Sequence, residues 1–126
     1  MAGHIASHHL SENGLLVFTG AKAVFEGPTP PMIGYHLAKT ATHAIAQNLA
    51  LKKDIPESST VLTILPDTLD TPANREAMPD ANFDMWADCH QVASILKMWS
   101  NEENMPKNGS YIALETVNGS VTTSFL

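Results

Sequence analysis

Basic side chains are scarce in this sequence: seven Lys and Arg stand against thirteen Asp and Glu, for a net charge of −6. No cluster of Lys or Arg is present that could follow a phosphate backbone, which argues against nucleic-acid binding. The single cysteine, Cys89, excludes an internal disulfide, and without a Cys-x-x-Cys pair the sequence offers neither a zinc knuckle nor a dithiol redox couple. A reducing compartment fits that usage, and the cytoplasm is the expected location. The segment from Met1 to Ala6 has no basic region leading into an apolar run, and no stretch approaches the roughly 20 apolar residues of a membrane span. The most telling absence concerns glycine. The seven glycines stand at 3, 14, 20, 27, 34, 109 and 119, so no Gly-x-Gly occurs and no dinucleotide-phosphate turn can be assigned. Repeats and low-complexity tracts are also missing, which leaves one domain as the expectation.

What is present alternates. Ala2 to Glu12 is free of proline and places Ile5, His9 and Leu10 at helical spacing before the stop signal Asn13-Gly14. Leu15-Leu16-Val17-Phe18-Thr19 is an apolar run flanked by glycines, the pattern of a strand buried on both faces of a parallel sheet. Gly27-Pro28-Thr29-Pro30-Pro31 breaks regular structure. From Ile33 to Leu51 a helix is predicted, with Leu37, Ala41, Ala44, Ile45 and Leu49 on one face. Thr60 to Leu65 reads as a second interior strand ending at Pro66. Met85, Cys89, Val92, Ile95, Leu96 and Trp99 form the stripe of another helix. Tyr111 to Thr116 and Val121 to Ser124 flank Asn118-Gly119, a two-residue hairpin turn. The fold class is therefore α/β, with parallel strands joined by helices and a closing edge strand.

Tyr35 and Lys39 stand four residues apart on the predicted helix, so both project from one face about one turn apart. An ammonium beside a phenol favours the phenolate, which suits general acid/base work, and the same lysine can donate to ribose hydroxyls. On spacing alone the commoner case is a helix-start tyrosine with a solvated lysine. The context is more specific: a strand ending in Thr19-Gly20-Ala21, a proline loop, the Tyr/Lys helix, and a second strand ending in Pro66-Asp67-Thr68-Leu69-Asp70-Thr71-Pro72.

That order resembles the short-chain dehydrogenase/reductase family, and Tyr35, Lys39, Pro66 and Thr71 match its motif. Gly14-Leu15-Leu16, Gly20-Ala21-Lys22-Ala23, Met32-Ile33-Gly34-Tyr35 and the run from Thr71-Pro72-Ala73-Asn74-Arg75 through Met78-Pro79 and Phe83 to Trp86 resemble its dihydropterin-reducing branch more closely. The resemblance implies the C-terminal half of a Rossmann-like, doubly wound parallel sheet with a C-terminal hairpin. Residues 1–126 would form a single partial domain, and the half carrying the cofactor-phosphate loop would lie upstream. It further implies reduction of quinonoid dihydropterin to tetrahydropterin by NADH, or less well by NADPH, with no metal. Tyr35 and Lys39 would be catalytic, and Lys39, Pro66, Thr68, Leu69 and Thr71 would bind the cofactor. Ala21, Asn74, Arg75 and Trp86 would border the substrate or a lid over it. The helices near 2–12 and 33–51 would form a homodimer interface.

Ala21 occupies the strand-end position where most of the family carries a catalytic serine. A quinonoid pterin is an electron-poor conjugated acceptor and has less need of a second hydroxyl to polarise it. A general carbonyl reductase is for the same reason the weaker reading. A non-catalytic module that pairs with a full-length reductase is the other alternative, and an unpaired apolar sheet edge would make such a fragment poorly soluble alone. His4 and His8, one turn apart, lack the Glu and third ligand of a zinc helix and read as exposed histidines. His36 points away from the Tyr/Lys face. Asp67 and Asp70 read as turn or cap residues, Cys89 as helix packing, and Arg75 equally as a lid residue or a salt-bridge partner.

Overall fold

The structure, a computed structural model, describes residues 1–51 and 54–126. Its centre is a four-stranded sheet in the order β1-β2-β5-β6, built from Leu15–Thr19, Thr60–Pro66, Tyr111–Val117 and Ser120–Phe125. β1 pairs parallel with β2 in the register Leu15 to Thr60, and β2 pairs parallel with β5 through Thr63 and Tyr111. β6 returns antiparallel on β5 through the turn Asn118-Gly119, whose φ angles of 50° and 76° are those the Asn-Gly pair tolerates best. The sheet is therefore mostly parallel and closed on one side by a hairpin, as the resemblance implies.

Side chains alternate across the strands because the strand period is 2. Leu62 and Ile64 of β2, with Ile112 and Leu114 of β5, pack on α5 (Cys89–Ser100) through Val92 and Trp99. Val61 instead meets Ala6 of α1 (Ala2–His9) and Ala46 of α3 (Ile33–Leu51), with Leu16 and Phe18 of β1 alongside. Helices thus cover both faces, and β2 is buried along its whole length. Leu62, Leu65, Ile112 and Leu114 are completely enclosed, each contributing about 1.5–3 kcal/mol by apolar burial.

The two longer helices pack in ways the sequence does not announce. α3 buries His43 and Ala46 against the sheet, whereas Leu37, Ala41, Ala44 and Ile45 of the apolar stripe face outward. The small and polar side of the helix is the one that lets it lie close to the strands. α5 begins at Cys89 rather than Met85, because the Asp88 carboxylate caps it by accepting the Gln91 amide proton at 2.9 Å. Cys89 is consequently at the helix rim and exposed, with its thiol 3.4 Å from the Asp70 carbonyl, and is not part of the packing stripe. Short elements unmarked in the sequence complete the chain: α2 (Lys22–Glu26), α4 (Pro72–Ala77), and a two-residue parallel pairing of β3 (Leu69–Asp70) with β4 (Ala87–Asp88). No helix among the described residues is long and apolar enough to cross a membrane.

Candidate active site

Parallel sheets bind ligands beyond the carboxyl ends of their strands, where the crossover connections leave a crevice. The C-terminal ends of β1 and β2, adjacent in the sheet, open here into a cavity of about 430 Å³ beside the start of α3. Its walls include Ala21, Tyr35, Lys39, Pro66, Thr68, Leu69 and Asn74, drawn from four separate stretches of sequence. Thr19, Gly20, Ala23, Met32, Asp67 and Met78 fill the remainder.

Within it, the Lys39 ammonium donates to the Thr19 carbonyl at 2.9 Å and stands 5.8 Å from the centre of the Tyr35 ring. The tyrosine itself is 45% exposed, so its phenol is open to a ligand. Gly20 continues the strand ladder by donating its amide proton to Ile64 at 2.9 Å, and the next amide, that of Ala21, donates to Nε2 of His43 at 3.2 Å. A side chain at Gly20 would collide with that imidazole and stand 2.6 Å from Leu65, so the turn requires glycine for closeness of approach. Burial, then the charges of Lys39 and His36, hold the His43 pKa below its ordinary value, in keeping with an imidazole that must stay neutral to accept.

A second cation nearby is already engaged. Lys22, on α2, donates to the Glu115 carboxylate and lies 3.4 Å from Asp67 and 3.7 Å from Glu26. The Glu115 hydrogen bond raises its pKa, desolvation opposes this, and Asp67 adds to the rise. Lys39, by contrast, has a carbonyl and no carboxylate contact among the described residues, and it remains the cavity's uncancelled positive charge. An anionic or ribose-bearing ligand would find its complement there.

No protein-family profile matches the chain. Over 117 residues, 91% of the chain, it is 46% identical to a curated protein named dihydropteridine reductase from Dictyostelium discoideum, 50% of which is covered. Over nearly its whole length the chain is therefore similar to a dihydropteridine reductase. It spans about half the length of that relative.

Not every residue singled out in the sequence lines the Tyr35 cavity. Thr71 caps α4, its hydroxyl accepting the Asn74 amide proton at 3.2 Å, while the Asn74 side chain donates to the Leu69 carbonyl at 2.8 Å. That cap turns Asn74 inward and Arg75 outward. Arg75 forms a two-point pair with Asp70, Nε to Oδ1 at 2.6 Å and Nη2 to Oδ2 at 2.8 Å, and covers the Phe83 ring at 4.4 Å. The hydrogen bond from Arg75 draws the Asp70 pKa down, and the same bond raises that of Arg75. Trp86, packed edge-on against Phe83 at 4.7 Å, borders a neighbouring cavity of about 440 Å³ with Arg75 and Asp70. Arg75 and Trp86 thus line this neighbouring cavity and not the one lined by Tyr35, although Trp86 also borders a third cavity with Asp67 and Thr68, and Arg75 is paired with Asp70. His4 and His8 meet in a tilted contact with ring centres 4.5 Å apart, and Nδ1 of His8 meets the His4 carbonyl. His36 lies within 3.2 Å of the Thr29 hydroxyl.

Sequence reasoning missed Lys22 and His43. The only cue to His43 is its place four residues beyond Lys39, and nothing local marks Lys22, whose chief partner is 93 residues away. Ala21 stands at the N-cap of α2 without a capping side chain. A hydroxyl there can satisfy an orphan amide, so Ala21→Ser is expected to raise stability by about 1 kcal/mol in denaturant unfolding. An unchanged unfolding midpoint would show that the start of α2 gains nothing from a cap.

Proposed function

We propose that the chain forms the nicotinamide- and pterin-facing half of a reductase of the short-chain dehydrogenase/reductase type that converts quinonoid dihydropterin to tetrahydropterin. The observation that carries this is the convergence of Ala21, Tyr35, Lys39, Pro66, Thr68, Leu69 and Asn74 on one cavity at the strand ends. The residues present suit the nicotinamide-ribose end of NADH or NADPH: an ammonium with no carboxylate contact among the described residues, a threonine hydroxyl and a mixed polar and apolar wall. Bound there, the cofactor would supply hydride to the pterin. Tyr35 supplies the proton that completes the reduction, Lys39 holds the ribose and stabilises the phenolate left behind, and the backbone from Pro66 to Leu69 orients the ring. Ala21 contributes a methyl group where a ketone reductase needs a hydroxyl, which favours the pterin over a general carbonyl substrate. The cytoplasm is the compartment this reading assumes.

NADH-dependent reduction of quinonoid dihydropterin by the purified chain tests the proposal. Turnover well above the uncatalysed rate is expected. A folded chain that binds neither NADH nor NADPH and reduces nothing would remove catalysis by this half on its own.

One observation favours a second role alongside the first. Ile33 and Leu37 of α3 are 67% and 64% exposed, and Ile5 on α1 is 52% exposed, so both helices present apolar side chains to solvent. Small residues on α3, Ala41 and Ala44, allow a second helix to approach closely. A homodimer through α1 and α3, or pairing with a longer reductase subunit, would cover them. Leu37→Glu should turn a dimer into a monomer in sedimentation velocity at micromolar protein. A wild-type chain that sediments as a monomer across that range would dismiss the interface.

A further inference from the structure

The turn that forms the floor of the Tyr35 cavity is held at three successive residues. Thr19 offers its carbonyl to Lys39, Gly20 gives its amide proton to β2, and Ala21 gives its amide proton to His43. Two of these anchors, Lys39 and His43, are one helical turn apart on α3, so the helix that carries Tyr35 is fastened to the strand end on both sides of Gly20. An amide nitrogen can only donate, so Nε2 of His43 must be the acceptor and the imidazole must be neutral, with its proton on Nδ1. A protonated ring presents two donors and would face the Ala21 amide with nothing to accept it.

We propose that His43 is the positioning residue of the Tyr35 cavity: as a neutral acceptor it locks the Thr19-Gly20-Ala21 turn against α3, and protonation releases that turn. The inference rests on the reading of the cavity as the reductase site, but its physical content is independent of turnover. The ring is boxed in, with only 8% of the residue exposed. Tyr111 of β5 stands edge-on at 5.6 Å and Phe25 of α2 at 6.2 Å. The charges it feels come from Lys39 and His36 on its own helix, Tyr111 is the titratable group on the sheet side, and α2 meets it with the uncharged Phe25. Burial and both of those charges oppose protonation. Because the folded state depresses the pKa, the stabilisation is complete above the ordinary value of 6.5 and is lost as pH falls toward the lowered folded value.

Amide exchange of Ala21, followed by NMR in the full chain across that pH range, decides the matter with His43→Gln and His43→Phe as variants. Glutamine places a carbonyl oxygen the same number of bonds from the backbone, accepts the amide proton and does not titrate. The expected result is Ala21 protection that falls as the His43 ring protonates in the wild type, persists without a pH step in His43→Gln, and drops about tenfold in His43→Phe. Protection in β2 serves as the control for folding. Ala21 exchange that ignores His43 titration, or the same pH step in His43→Gln, overturns the proposal, and the wild-type and glutamine proteins suffice if the phenylalanine variant does not fold. Loss of turnover with Ala21 protection intact would count against the reductase reading alone.

Discussion

Tyr35→Phe is expected to lower dihydropterin turnover by about 10²–10⁴-fold, the range a positioned general acid contributes, while leaving cofactor binding in place. The substitution removes one oxygen and keeps the ring beside Lys39. Because Tyr35 is half exposed and its hydroxyl makes no protein hydrogen bond among the described residues, stability should change by no more than about 0.5 kcal/mol. That separation is what makes the variant informative: kcat falls and the melting temperature does not. Comparable loss in both would show that the ring supports the fold and that the chemistry lies elsewhere.

Gly20→Ala should have the largest effect on stability of any change at the site, about 1–3 kcal/mol by overpacking. The added methyl meets the His43 imidazole and Leu65, one a buried ring fixed by its neighbours and the other a fully enclosed core side chain. Neither can retreat without opening a void, so the strand end must move instead. That movement breaks the Ala21 amide bond to His43 and shifts the Thr19 carbonyl on which Lys39 rests, so turnover should fall with stability. Denaturant unfolding paired with kcat measures both. A variant as stable as the wild type would show that the turn has slack and that close packing does not set its geometry.

Much of this was written plainly in the sequence. The run from Thr60 to Pro66 is apolar on both faces and ends in proline, and only an interior parallel strand has use for such a segment. Asn118-Gly119 specified the hairpin because few other pairs accept two positive φ angles in succession. The convergence of Tyr35, Lys39 and the Pro66–Leu69 segment was legible for a topological reason. Neighbouring parallel strands end on the same side of a sheet, and the helix between them begins there.

Other features depend on tertiary contacts that leave no local trace. The apolar stripe of α3 does not mark its inward face, since the sheet selects the small side with His43 and Ala46 and leaves Leu37 and Ile45 outside. α2 and α4 span 5 and 6 residues, too short for a 3.6-residue period to register. Arg75 follows Asn74 by one residue, yet the Thr71 cap sends them to different cavities. Lys22, read as part of a motif, is in fact the hub of an acidic cluster that joins α2 to β5 and to the end of β2.

On the proposed function, the cavity at the ends of β1 and β2 receives the nicotinamide half of the cofactor. Titrating the ¹⁵N-labelled chain with NADH and following its amides tests that most directly. Shifts are expected to concentrate at Gly20, Ala21, Thr68, Leu69 and Asn74, to shrink in Lys39→Ala and to persist in Tyr35→Phe. Shifts that instead centre on Arg75, Phe83 and Trp86, or that ignore the loss of Lys39, would contradict it.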